Sequence, residues 1–114
     1  MWLFTNTGFV SAVKNGDKLK VRARDEKSLY PLVKFAGVKV TKTPYADYPY
    51  RLEVTNEVFA SWISQMATEI DYHNFKSEVG AKRGYNYAHP LTQVWSIMHD
   101  VEDGNARKQE WEIA

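Results

Sequence analysis

Residues 18–24 alternate without a break: Leu19, Val21 and Ala23 are apolar, while Lys18, Lys20, Arg22 and Arg24 are cationic. Side chains along a β-strand point to opposite faces with period two, so this segment reads as a half-buried antiparallel strand. One face must meet a hydrophobic core and the other must meet water. A chain built around such a strand is driven towards an antiparallel sheet with helices on one side.

The flanking sequence supplies partners for it. Asn15-Gly16, just upstream, is a strong hairpin signal, because a tight primed turn needs positive φ that these residues tolerate. Residues 2–13 are rich in aromatic and β-branched types, broken by Asn6-Thr7-Gly8. They read as one long strand bulged at Gly8, or as two short strands meeting there. Downstream, Asp25 caps a helix running towards Phe35 and closed by Gly37. Pro31 interrupts that pattern, so the helix is either kinked or starts near Ser28 with Pro31 in its first turn. Residues 38–43 read as a third strand, residues 44–50 as a turn or bulged connection, and residues 51–55 as a fourth strand with Leu52 and Val54 inward.

The second half is helical in pattern. After Thr55 or Asn56 as cap, Val58, Phe59, Trp62, Ile63, Met66 and Ile70 recur at helical spacing. Residues 71–74 interrupt it, residues 75–79 form a short segment ended by Gly80, and residues 82–87 form a loop. Pro90 then opens a last helix at its first position, carrying Leu91, Val94, Trp95, Met98 and Val101 up to Gly104. The expected fold is α+β: a four-stranded antiparallel sheet in ββαββαα order, helices on one face. Trp62, Met66, Trp95 and Met98 are expected to pack on Leu19, Val21, Leu52 and Val54. The 114 residues form one domain over residues 1–104, followed by a polar tail at residues 105–114 in which Trp111 and Ile113 can dock.

Composition narrows the function. Hydrophobic residues at 44% and charged residues at 25% belong to a globular chain, not a disordered one. The absence of cysteine excludes disulfides, thiolate metal sites and a cysteine nucleophile. No apolar run is long enough to span a membrane, and the first residues carry no secretory leader, so a cytoplasmic protein is expected. The net charge of +1 hides a dipole: residues 1–54 hold ten Lys/Arg against five Asp/Glu, and the remainder holds five against nine.

Three sites emerge as candidates. The cations Lys18, Lys20, Arg22 and Arg24, with Arg51 and the flanking Tyr48 and Tyr50, form a basic, tyrosine-flanked sheet face. Cations beside rings on an open sheet can hold single-stranded nucleic acid, or an acidic protein surface; the plainer account is a solvated sheet face. Asp71, His73 and Lys76 contain the parts for acid–base catalysis, although sequence neighbours on a helix do not face each other. The plainer account is a cap and turn between helices. Lys82 and Arg83, within a glycine-flanked loop, form a secondary anion-binding candidate that matches no phosphate-loop pattern. Adding His99 and Asp100 to the Asp71 group gives nitrogen and oxygen ligands, but no spacing demands a metal, and no cofactor is implied. The expected function is thus a non-enzymatic binding module, with a small enzyme as the alternative.

Several segments carry a resemblance. Trp2-Leu3-Phe4-Thr5, Gly8-Phe9 with Ser11, Val21-Arg22-Ala23-Arg24, Asp47-Tyr48-Pro49-Tyr50-Arg51, Ile70-Asp71-Tyr72 with Asn74-Phe75-Lys76, and Val94-Trp95 resemble a group of small bacterial proteins of about this length. Val10 stands where that group is expected to carry a second aromatic, and the stretch after Val101 looks like an addition. The resemblance implies a bacterial or phage origin and brings no activity, cofactor, partner or site. A phage-borne copy adds a third functional class, an inhibitor docking on a host complex.

Overall fold

The computed structural model describes residues 1–104. Residues 105–114, with Trp111 and Ile113, lie outside the described residues. Five strands and four α-helices follow in the order β1 (Trp2–Thr5), β2 (Gly8–Asn15), β3 (Lys18–Ala23), α1 (Tyr30–Ala36), β4 (Thr41–Lys42), β5 (Tyr50–Val54), α2 (Asn56–Thr68), α3 (Phe75–Arg83) and α4 (Tyr85–Ile97). Short 3-10 turns precede α1, at Glu26–Leu29, and follow α4, at Met98–Val101. The sheet is antiparallel throughout, with strand order β1-β2-β3-β5-β4.

The fifth strand corrects the expected four, and the element order becomes βββαββααα. The chain reverses between β1 and β2 at Asn6-Thr7, where Thr5 pairs with Gly8. Thr5 supplies the local hydrogen bonds: its hydroxyl donates to the Gly8 carbonyl at 3.0 Å and accepts from the Thr7 amide at 3.2 Å. A hydroxyl that satisfies turn backbone stabilises such a reversal without a positive-φ residue. Between β2 and β3 the two-residue loop is Gly16-Asp17, one residue later than expected, with Gly16 at φ 65°.

Pro31 falls within the first turn of α1, where its missing N–H is one of the unbonded donors in any case. Gly37, at φ 69°, ends that helix in the left-handed conformation. The third strand shortens to Thr41–Lys42, pairing only with β5 at the sheet edge. Thr55 caps α2, its hydroxyl accepting from the Val58 amide at 3.2 Å.

The core lies between one sheet face and the helices α1 and α2. Val10, Val21, Ala23 and Leu52 meet Leu29, Leu32, Phe59 and Trp62, all buried. Full burial of a Leu or Val side chain contributes ~1.5–3 kcal/mol, so this one-sided layer dominates stability. The expected contributions of Trp95 and Met98 are corrected: Trp95 is 60% exposed and Met98 53%. Helices α3 and α4 pair with each other instead of lying over the sheet. The helix α3 continues through Gly80 to Arg83, and Pro90 lies inside α4 rather than opening it. That proline forfeits one hydrogen bond, to the carbonyl four residues back, near the exposed start of the helix.

A polar knot ties this helical hairpin down. The Arg83 guanidinium donates to the Thr7 carbonyl at 2.7 Å and to the Ser28 hydroxyl at 3.3 Å, and pairs with Asp25. It also lies 3.8 Å from the centre of the Tyr87 ring, whose hydroxyl is 3.1 Å from that of Ser28. Gly8 is required beside this knot, since a Cβ there meets Ser28 Cβ at 2.6 Å. Gly8→Ala is therefore expected to lower stability by ~1–3 kcal/mol through overpacking, measured by urea denaturation.

Candidate functional site

The two faces of the sheet follow from its register. Val21 is opposite both Ala12 and Leu52, and these residues face the helices. The opposite face therefore carries, across the strands, the row Trp2, Ser11, Arg22, Arg51 and Thr41. Phe4 opposite Phe9, and Val13 opposite Lys20 opposite Glu53, lie on the same face. Neither α1 nor α2 covers it.

The basic candidates divide on this frame. Lys18, Lys20, Arg22 and Arg51 share the helix-free face. Tyr50 does not: it is opposite Ala23, points to the helix side and packs against the core, with Lys42 5.5 Å from its ring centre. That moves Tyr50 out of the expected flanking position. Tyr48 stays with the cations but is buried between them. The guanidinium carbons of Arg22 and Arg24 lie 4.5 and 4.7 Å from its ring centre. Arg24 also pairs with Asp47 at 3.0 Å, and the hydrogen bond to Asp47, the largest cause, raises its pKa further above the ordinary arginine value. Arg24 and Tyr48 are thus engaged internally.

Arg22 and Arg51 are different. They are direct cross-strand partners with like charge, and neither forms an ion pair among the described residues. Arg22 donates to the Ser11 hydroxyl at 3.0 Å, but its Nε is buried without a hydrogen-bond partner. Like charges opposite one another are unfavourable in a sheet, and a buried donor without an acceptor costs ~1–3 kcal/mol. An anion over this pair offsets the like-charge repulsion; the buried Nε stays out of its reach.

Beside the cations lies an aromatic cluster that the sequence reading did not assemble. Phe4 stacks on Phe9 at 4.6 Å between ring centres, and Trp2 meets Phe9 edge-on at 5.7 Å. Trp2 is 69% exposed. Such rings offer flat, accessible π-faces within two strands of Arg22. The available signal was the spacing Trp2, Phe4 and Phe9, Ser11, which places all four on one face once the chain turns at Asn6-Thr7.

The other candidates do not assemble. Asp71 and His73 are exposed, and no ion pair joins them to each other or to Lys76 among the described residues. Lys76 instead lies 4.9 Å over the ring of Trp95 and lines a groove that neither Asp71 nor His73 lines. Among the described residues there is no group of three or more metal-binding side chains. Lys82 and Arg83 belong to α3 rather than to a loop. Arg83, with a side chain 13% exposed, is held in the polar knot, and Lys82 borders a cleft with Phe35, Trp62 and Glu69 on the helix side.

No family model, curated protein or solved structure matches this chain. No helix among the described residues is long and apolar enough to cross a membrane.

The ring of Tyr48 is the support on which Arg22 is oriented. Tyr48→Leu keeps apolar volume but removes both cation–π contacts. It is expected to cost ~1–2 kcal/mol, read as a lowered midpoint in chemical denaturation.

Proposed function

We propose that the protein is a non-enzymatic binding module whose helix-free sheet face takes single-stranded nucleic acid. The observation that carries this reading is the adjacency, on one open face, of the Trp2–Phe9–Phe4 cluster and the Arg22–Arg51 pair. A solvated sheet face accounts for the cations but gives no reason for exposed, mutually packed aromatic rings. Bases stack on aromatic side chains irrespective of sequence, and phosphates accept from guanidinium groups. Arg22, steadied by Tyr48 and Ser11, has its conformation set before a ligand arrives, which lowers the entropic cost of binding.

Lys20 sits opposite Glu53, so its charge is partly offset, while Lys18 stands exposed at the end of the strand. The engaged set is then Arg22, Arg51 and Lys18, with Lys20 contributing less. An acidic protein surface satisfies the same cations but leaves the rings unused. Acid–base catalysis at Asp71, His73 and Lys76 gains no support, because these groups face no common cleft.

The test is binding of a fluorescently labelled thymidine oligonucleotide, followed by anisotropy across a range of salt. Three to four phosphate contacts predict a log–log slope of about −2 to −3, at about −0.7 per contact. Arg51→Glu is expected to flatten that slope and weaken binding. Trp2→Ala is expected to cost ~1–3 kcal/mol of affinity, with stability changed by under ~0.5 kcal/mol because Trp2 is exposed. No binding at low salt overturns the nucleic-acid reading in favour of an acidic protein partner. Binding that ignores both substitutions overturns the assignment of the face.

A further inference from the structure

Two grooves adjoin the open face, one beyond the other, at the α3–α4 hairpin. The nearer is apolar, about 510 Å³, and lies between β1 and the hairpin; Phe4, Phe75, Leu91, Val94 and Trp95 wall it. The farther, about 620 Å³, lies along α3 and α4, where the small residues Gly80 and Ala88 meet closely. Ser77, Tyr85, His89 and Thr92 give it a polar rim. Both volumes fall within the range of ~300–1,000 Å³ typical of ligand sites.

Neither groove is isolated. Phe4 joins the apolar groove to the open face, since its ring also stacks on Phe9 at 4.6 Å. Asn74 and Lys76 line both grooves and so stand on the ridge between them. Asn74 uses its side-chain carbonyl for the α3 cap, accepting from the Ser77 amide at 2.9 Å, and keeps its NH2 group to donate. Lys76 is half-buried. Its ammonium lies 4.9 Å from the centre of the Trp95 ring and enters no ion pair among the described residues. A cation without a carboxylate, set between rings on one side and hydroxyl and imidazole groups on the other, selects an anion that carries a flat apolar ring.

We propose that the two grooves hold the phosphorylated end of a single strand, its terminal base in the apolar groove and its terminal phosphate in the polar one. The inference rests on the nucleic-acid reading of the sheet face, and the order of the three surfaces carries it. Phosphate, base and onward chain follow one another in a terminal nucleotide, as polar groove, apolar groove and open face follow one another here. Lys76 meets the phosphate from the ridge, and Phe75 and Trp95 flank the base. The rest of the strand passes Phe4 onto Phe9, Trp2 and the Arg22–Arg51 pair. A terminal phosphate carries a charge of about −1.5 to −2 near pH 7, more than an internal phosphodiester, so Lys76 favours an end over a crossing strand.

The test is anisotropy with one thymidine oligonucleotide in three forms: unphosphorylated, 5′-phosphorylated and 3′-phosphorylated. One phosphorylated form is expected to bind ~10-fold tighter than the unphosphorylated one, the effect of about one charge-assisted hydrogen bond. The end that gains fixes the polarity of the strand. Lys76→Met keeps an unbranched apolar stem beside Trp95 and is expected to remove the preference. His89→Ala, at an exposed position, is expected to lower it part of the way. Arg51→Glu is expected to weaken all three forms and preserve their ratio. Equal affinities for the three forms in the unaltered protein overturn the end site and leave the sheet-face reading standing. A preference that survives Lys76→Met overturns it as well. Failure of every form to bind overturns both.

Discussion

The Arg83 guanidinium fixes what lies where in this protein. It reaches from the end of α3 to the Thr7 carbonyl in the β1–β2 turn, and to Ser28 and Asp25 at the entry to α1. Three segments distant in sequence are thereby joined by one planar donor, stacked on Tyr87. Arginine suits the task because it presents several donors in a fixed fork and stacks on rings; lysine does neither well. The consequence is architectural. The α3–α4 hairpin is held at the rim of the sheet, so the face opposite the core stays open and a groove forms where the hairpin meets Phe4.

That open face inherits its chemistry from period-two alternation. Every residue that puts Val21 and Leu52 into the core puts Arg22 and Arg51 on the other side, as direct neighbours. The same rule brings Trp2, Phe4 and Phe9 onto the outer face while Leu3 and Val10 turn inward. Core formation alone therefore places a like-charge pair next to a ring cluster. Internal partners neutralise some cations, as Asp47 does for Arg24, but among the described residues Arg22 and Arg51 pair with no carboxylate.

Where a local signal sufficed, the sequence was legible. The alternation of β3, the Thr55 cap, the apolar spacing of α2 and the Gly37 terminus all correspond to elements of the structure. The misses arise where tertiary contacts decide. Asn6-Thr7 carries no glycine at a turn position; the reversal depends on the Thr5 hydroxyl and on the approach of Ser28 to Gly8. Pro90 suggests a helix start, yet the pairing of α3 with α4 carries the helix through it. Apolar spacing in α4 located a hydrophobic face without saying that it is only partly covered. Tyr50 was misplaced because it was assigned to the connection before the strand; once β5 starts at Tyr50, the alternation that turns Leu52 and Val54 inward turns Tyr50 inward too. Of the candidate surface, the cations were readable residue by residue, whereas the ring cluster needed the hairpin to be known.

The central claim is the proposal that the helix-free sheet face takes single-stranded nucleic acid. It is tested most directly by mapping amide chemical shifts while a short thymidine oligonucleotide is added. The account predicts that the perturbed residues include Trp2, Phe4, Phe9, Ser11, Arg22 and Arg51. Residues on the helix side, such as Leu29, Leu32, Phe59 and Trp62, are predicted to stay in place. Perturbations centred on α1 and α2, or none at any concentration, would contradict it.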